Sequence, residues 1–270
     1  MKGSLQFIGN ATTLIRYNGF TFLTDPNFLR RGQRAYLGYG LSSRRRFDPA
    51  IGLDELPPLD AVLLSHLHGD HWDRVARRGL DRDTPIITTT SAARRLRRRG
   101  FARSVGLEDF QQHELRGPGG SVIITAVPAK HAPTPVEWML PPTIGTVLEF
   151  CNQDELMELR LLISGDTLLD RRLDSIVHRF PEIDLGIVHL GGTKLLGSVL
   201  VTMDGEQGAS WVDRLNPHTV VPVHFDDYTV FSSPLADFKD HIEQGGLADR
   251  VVYLQRGEKR ELAPHRLVRP

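Results

Sequence analysis

Apolar and polar positions alternate from the first residues of the chain, and residues 5–8, 13–17 and 20–23 read as short β-strands. Asn18-Gly19 joins the last two. It is the strongest short hairpin signal, because both turn positions need a positive φ. The third strand delivers Asp25-Pro26 at its end, where Pro26 stops the ladder. Residues 28–58 lose this periodicity. They are rich in Arg, Gly and Pro and read as a long loop insertion with a helical turn, either functional or a plain surface insertion. Strands and helices then alternate. Strands are expected over residues 61–65, 86–89, 122–127, 146–150, 159–164, 185–189, 219–223 and 251–254. Helices are expected over 91–99 (capped by Ser91, ended by Gly100), 170–180 and 205–215 (capped by Asp204 or Thr202). A last helix opens at Ser233-Pro234, with proline at the first helical position, and ends at Gly245-Gly246. No linker or repeat divides the chain. A hairpin-rich start followed by mixed strands and helices suggests two packed sheets with helices outside, in one α/β domain over residues 1–270.

Composition narrows the function classes. The 33 Lys and Arg balance 33 Asp and Glu, so no net charge draws the whole molecule to nucleic acid or an acidic membrane. The single cysteine, Cys151, excludes an internal disulfide framework and a cysteine-based zinc finger. No apolar run approaches the roughly 18 residues of a membrane helix, and no secretory apolar stretch follows Met1. A cytoplasmic location with no integral membrane segment is expected. Arg44-Arg45-Arg46 and the set Arg94, Arg95, Arg97, Arg98 and Arg99 are the marked charge runs. The second spreads around most of its helix and reads as a solvated face, and no nucleic-acid partner is expected. A role for Arg44–Arg46 toward a substrate phosphate stays open.

The chemistry concentrates in Ser65-His66-Leu67-His68-Gly69-Asp70-His71-Trp72-Asp73, at the end of an apolar strand. On an extended chain His66 and His68 share a face, and Gly69 lets the chain turn and bring Asp70 and His71 to a second point nearby. Imidazole and carboxylate are the ligands that borderline divalent metals take. Four such groups within six residues exceed one tetrahedral site with room for substrate, so the spacing suggests two adjacent metals. Further polar residues follow apolar strands at His131, Asp166 and His224, where active sites of layered α/β folds collect. Taken singly, these three read equally as a loop histidine, a turn aspartate and a satisfied core histidine.

Taken in order, Asp25, His66-x-His68-x-Asp70-His71, His131, Asp166 and His224 resemble the motif series of the metallo-β-lactamase-fold hydrolase superfamily, from Phe7 to Val252. Phe7-Ile8-Gly9-Asn10-Ala11-Thr12 and Thr202-Met203-Asp204-Gly205-Glu206-Gln207 are similar to the subgroup of ascorbate-6-phosphate lactonases, to which N-acyl-phosphatidylethanolamine phospholipases D are related. The resemblance implies a four-layer αβ/βα sandwich with a dinuclear site at one edge of the sheets. His66, His68 and His131 would bind one metal and Asp70, His71 and His224 the other. Asp166 would bridge them, and Asp25 would orient a ligand from behind. The chain departs from well-known members. No cysteine occupies the second site, which disfavours antibiotic hydrolysis, and His68 stands where flavodiiron relatives have Glu. Instead of a glycine after His131, Pro133, Pro135, Pro141 and Pro142 surround Trp138-Met139-Leu140, a stiff rim that reads as a specificity loop or as packing over the core.

The expected activity is hydrolysis of a small-molecule ester, lactone or phosphodiester by hydroxide at a dinuclear site. A side-chain base contributes about 10²–10⁴-fold. A metal brings the pKa of water from 15.7 to about 7, which is the larger effect for these bonds. Zinc is the default metal for this donor set, with manganese and iron also fitting. Asp70, Asp166 and His189 are the candidate catalytic residues, His189 as substrate ligand or proton donor to a leaving group. Trp138, Thr193, Lys194, Asp227 and Tyr228 are candidates for contact with the substrate. A nuclease of the same fold and a non-catalytic metal-binding protein are the competing readings, and the sequence leaves a homo-oligomer open.

Overall fold

A computed structural model describes residues 3–263 except 39, 135 and 196. Pro135 of the expected rim therefore lies outside the described residues. One sheet has seven strands in the order Lys259–Leu262, Gly3–Gly9, Thr12–Tyr17, Phe20–Thr24, Ala61–Leu63, Ile86–Thr89 and Ser104–Leu107. The other has six, in the order Thr219–Val223, Leu185–His189, Met157–Ile163, Ile144–Cys151, Gly120–Pro128 and Gln112–Gly117. Each sheet is part antiparallel and part parallel. The run from Phe20–Thr24 to Ser104–Leu107 is parallel in the first, as are Met157–Ile163, Leu185–His189 and Thr219–Val223 in the second.

The two-residue period of the strands builds the layers. Phe22 faces the core between the sheets and Leu23 the outer core. Leu161 and Ile163 face inward while Leu162 packs beneath helices. Helices Arg74–Gly79 and Thr90–Arg97 cover the first sheet through Ala76 and Leu96. Leu173–Arg179, Gly205–Leu215 and Leu235–Gln244 cover the second through Ile176, Trp211 and Phe238. The result is the four-layer αβ/βα sandwich that the sequence led us to expect.

Local chemistry explains where the elements fall. Asn18 and Gly19 take φ of 47° and 83°, as their hairpin requires. Asp204 caps its helix by accepting from Gln207 N, and Asn216 ends it in the left-handed region. Other boundaries differ from expectation. Thr89, not Ser91, caps Thr90–Arg97, accepting from Ala92 N at 3.2 Å. Residues 170–172 are not helical, because the Asp170 carboxylate takes Arg172 N in a local turn. Pro234 is extended and sits one position before its helix. Residues 28–58 are not all loop. They hold a hairpin, Arg34–Gly38 with Leu41–Arg44, and a 3-10 turn at Leu53–Glu55. Val251 makes only an isolated bridge to Val220, and the final strand is Lys259–Leu262, paired with Gly3–Gly9. That strand escaped the pattern because it is a charged edge, with one buried residue in four.

Phe150 is fully buried between the sheets, its ring 5.1 Å from that of Tyr17 and 6.0 Å from that of Phe22. Phe150→Ala should lower unfolding stability by about 3–5 kcal/mol in a denaturant titration.

Candidate metal centre

Chain segments leaving both sheets meet at one edge of the sandwich. Asp25 follows Phe20–Thr24, the His66–Asp73 loop follows Ala61–Leu63, and His131 follows Gly120–Pro128. Asp166 follows Met157–Ile163, His189 ends Leu185–His189, and His224 follows Thr219–Val223. The turns are sharp. Asp25 and His224 take φ of 33° and 63°, unusual outside glycine and typical of over-determined sites. Gly165, at φ 61°, would place a Cβ 2.5 Å from Ile144 O, so no larger residue fits before Asp166. Gly69 lies in the expected turn, which His71 N and Trp72 N close on His68 O, and it has a second role. A Cβ there would lie 2.6 Å from Tyr36 O, so glycine lets the hairpin press onto the histidine loop.

The candidates converge as two groups. His68 Nδ1 lies 2.9 Å from His66 Nε2 and 3.1 Å from His131 Nε2. His224 Nε2 lies 3.1 Å from His71 Nε2 and 3.3 Å from Asp70 Oδ2. Asp166 joins the groups, 3.3 Å from His71 Nε2, and its carboxylate clusters with His66 and His71. Nitrogen and oxygen atoms of His66, His68 and His131, of Asp70, His71 and His224, and of His66, His71 and Asp166 each lie within 4.8 Å of one another.

The outer nitrogens of the imidazoles are fixed by the scaffold. His131 Nδ1 contacts Val201 O at 2.8 Å and His224 Nδ1 contacts Leu190 O at 3.0 Å. Since a carbonyl only accepts, both Nδ1 atoms carry hydrogen and both Nε2 atoms are turned inward. Ser65 Oγ donates to Asp25 and faces His66 Nδ1 at 2.9 Å. Asp25 also accepts from Ser65 N at 2.7 Å and lies 3.0 Å from His71 Nδ1. Asp25 thus orients two ring systems through one carboxylate.

The electrostatics divide the site. Burial and neighbouring imidazoles hold His66 well below the usual histidine range and His68 at about 3, and burial also lowers His131. Burial works against charge on His71 too, but Asp166, Asp25 and Asp70 outweigh it and raise that group well above the usual value. Asp166, against the same burial, raises His224. Burial would push the carboxyls up, yet His71 and His189 keep Asp25 at about 2, and His224 and His71 keep Asp166 well below its usual value. His66, His68 and His131 are therefore held neutral, and the inner Nε2 of His131 carries a lone pair because its Nδ1 donates to Val201 O. Asp70 Oδ1 and Asp166 Oδ1 are buried with no hydrogen-bond partner. Inward lone pairs and orphaned carboxylate oxygens fit divalent cations and suit little else.

Residues 21–225 match the family model of the β-lactamase superfamily domain. The chain belongs to this superfamily. It is 32% identical over 205 residues to a UPF0173 metal-dependent hydrolase of Deinococcus radiodurans, covering 75% of this chain and 80% of that one. A UPF0173 metal-dependent hydrolase of Methanopyrus kandleri is 24% identical over 95% of this chain and 99% of its own. Among solved structures, a possible metal-dependent hydrolase from Veillonella parvula superposes with a TM-score of 0.82 at 21% identity, over 97% of this chain and 100% of that one. An isothiocyanate hydrolase from Delia radicum gut bacteria gives 0.80 at 21% identity, over 96% and 99%. These two structural likenesses concern the fold.

In this superfamily member a cavity of about 290 Å³ lies over the cluster, reached by His68, Asp70, His131 and Asp166. Its walls are mostly apolar, with Leu37, Leu41, Leu140, Leu195, Val201 and Val230, while Thr193, Lys194 and Thr202 add polar groups. Thr193 and Lys194 thus line the cavity over the cluster. Trp138 is 80% exposed on the outer rim and lines a neighbouring hollow that shares His131 and Leu140. Three expectations need correction. Asp227 is fully buried and occupied by Asn10 N, Arg45 and Arg256. Tyr228 is fully buried, its hydroxyl donating to Asn27 Oδ1. His189 is fully buried behind the cluster, its Nδ1 facing Ser164 Oγ and its Nε2 3.4 Å from Asp25, so it meets no leaving group. Arg45 is likewise buried against Asp227 and Asn27, which removes it from any substrate phosphate.

Three contributors escaped the sequence reading. Ser65 ties Asp25 to His66. Asn10 donates to Asp70 O at 2.8 Å and accepts from His224 N at 2.9 Å. Thr202 donates to Asp166 at 3.4 Å. A serine directly before the first histidine is the one local clue.

Asp25→Asn should weaken divalent-metal affinity about 10–100-fold, read by competition with a chromogenic chelator, with the fold retained by circular dichroism. The carboxylates around them raise His71 and His224, so without metal both imidazoles keep their protons to higher pH than an ordinary histidine does. Metal binding should release protons, and affinity should strengthen as pH rises toward those values. Calorimetry in buffers of different ionisation enthalpy measures this, and an uptake independent of buffer would contradict it.

Proposed function

We propose that this protein is a metal-dependent hydrolase that cleaves an ester, lactone or phosphodiester of a small molecule at a pair of divalent cations. The observation that carries the reading is the mostly apolar cavity whose floor is the converged ligand cluster. The two similar UPF0173 proteins named as metal-dependent hydrolases support it. His66, His68 and His131 would hold one cation, Asp70, His71 and His224 the other, with Asp166 between them. Zinc is the default, with manganese or iron as alternatives. Bound there, such cations would supply a water activated at neutral pH and Lewis acidity toward the substrate oxygen.

The chain's own residues would do the rest. Asp70, with one carboxylate oxygen free of protein partners, would orient the attacking water. Asp25, through Ser65 and His71, would keep the imidazoles in place. Leu37 and Leu41 of the hairpin, with Leu140 and Val230, would exclude bulk water and favour an apolar substrate body. Lys194 and Thr193 would meet an anionic or carbonyl group. The ascorbate-6-phosphate lactonase and phospholipase D subgroup remains our assignment. Its two marker segments supply Asn10 and Thr202, which bind the backbone of Asp70 and the carboxylate of Asp166. A cavity of about 290 Å³ beneath a hairpin suits a small molecule better than a nucleic-acid strand.

The test is metal analysis of the purified protein joined to a screen of lactones and phosphodiesters. Chelation should abolish turnover and metal return should restore it. His68→Ala should reduce kcat/KM by more than about 100-fold, beyond the usual effect of removing a supporting partner. Full activity in the chelated protein would refute the reading.

A further inference from the structure

A second concave site lies on the other side of the histidine loop. It has a volume of about 410 Å³ and shares no lining residue with the cavity over the metal-ligand cluster. The loop divides them by alternation: Leu67 and Gly69 line the second hollow, while His68 and Asp70 line the first. The hairpin does the same, with Ala35 and Tyr36 on one side and Leu37 and Leu41 on the other.

Five arginines ring the second hollow: Arg34 from the hairpin, Arg74 and Arg77 from Arg74–Gly79, and Arg95 and Arg99 from in and just beyond Thr90–Arg97. Among the described residues, arginine ion pairs lie elsewhere, at Arg45, Arg116, Arg160, Arg172, Arg214 and Arg256. Asp73 is the one acidic lining residue. It does not neutralise the ring, because its carboxylate is spent on Phe28 N, Leu29 N, Val75 N and Ala76 N. An indole ring completes the wall. Trp72 lines the hollow at 6% exposure, and its buried Nε1 donor has no hydrogen-bond partner.

We propose that this hollow is a binding site for a small ligand carrying two or more phosphate groups. Like charges gathered around one concavity repel each other, and a polyanion relieves that repulsion. Guanidinium groups match phosphate oxygens in paired hydrogen bonds, and the Trp72 ring forms part of the wall beneath them. The volume suits a metabolite-sized ligand. A concavity of about 410 Å³ favours a compact ligand over a nucleic-acid strand. The ligand would touch helices and hairpin together, on the far face of the loop that carries His66, His68, Asp70 and His71.

The probe is fructose 1,6-bisphosphate, titrated calorimetrically into the metal-loaded protein. Saturable binding that weakens with added salt is expected. The double variant Arg77→Ala/Arg95→Ala should bind at least about tenfold more weakly, with an unchanged unfolding profile. His68→Ala should bind the probe as the wild type does. In the wild type the probe should change tryptophan emission, and Trp72→Phe should lose that change. Absence of saturable binding overturns the proposal. So does equal affinity in the arginine double variant, or loss of binding in His68→Ala. A face that captures single-stranded RNA but not the bisphosphate also overturns it.

Discussion

Asp25 keeps a charged carboxylate at 1% exposure where the edges of the two sheets meet, and it does so because Ser65, His71 and His189 close around it. A buried charge without such partners would cost several kcal/mol. Here the partners are the supports of the site. Ser65 passes the constraint to His66, and His71 receives it directly. Ile144 N donates to Ser65 O, which ties the same segment to the second sheet. The ligand cluster is therefore held by both layers of the sandwich, and its geometry depends on their packing as much as on the histidine loop.

The loop after Ala61–Leu63 is thin and has two faces. One carries metal-binding groups and the other the floor of an arginine-ringed hollow. Gly69 lets the Arg34–Gly38 strand approach within hydrogen-bond distance, with Gly69 N donating to Tyr36 O at 2.9 Å. Because the hairpin walls both cavities, the segment with least sequence pattern decides what can reach the histidine and aspartate cluster. Its exposed, arginine-rich strands carry no clean alternation, since packing is against a loop and solvent rather than a sheet face.

The cluster stores its own cost. Seven imidazole and carboxylate groups are drawn from water into one edge of the sandwich, and in the absence of cations they neutralise one another through the raised His71 and His224 and the lowered Asp166. This arrangement favours metal uptake, because a dication replaces protons that only carboxylates hold in place. It also separates ligands from supports. His189 has the same residue type and strand-end position as His224, but it turns toward Ser164 and Asp25 rather than inward to the cluster.

The chain's own pattern determined the elements and the donor list. Alternating apolar residues make the strands, Asn18-Gly19 makes its hairpin, and donors packed into His66–His71 announce metal chemistry whatever the fold. Order along the chain was enough to nominate His131, Asp166 and His224, because each follows an apolar strand. Only the tertiary structure decided which polar residues serve the site and which hold up the scaffold. Asp227 and Tyr228 sit beside His224 in sequence yet turn into buried contacts with Asn10, Arg45 and Asn27. Asn10 and Thr202 lie in recognisable segments and Ser65 directly precedes the first histidine, but which groups they hold appears only in the fold. The reason is physical: a strand end fixes where a residue emerges, while the direction and partner of its side chain are set by the facing sheet, which lies far away in sequence.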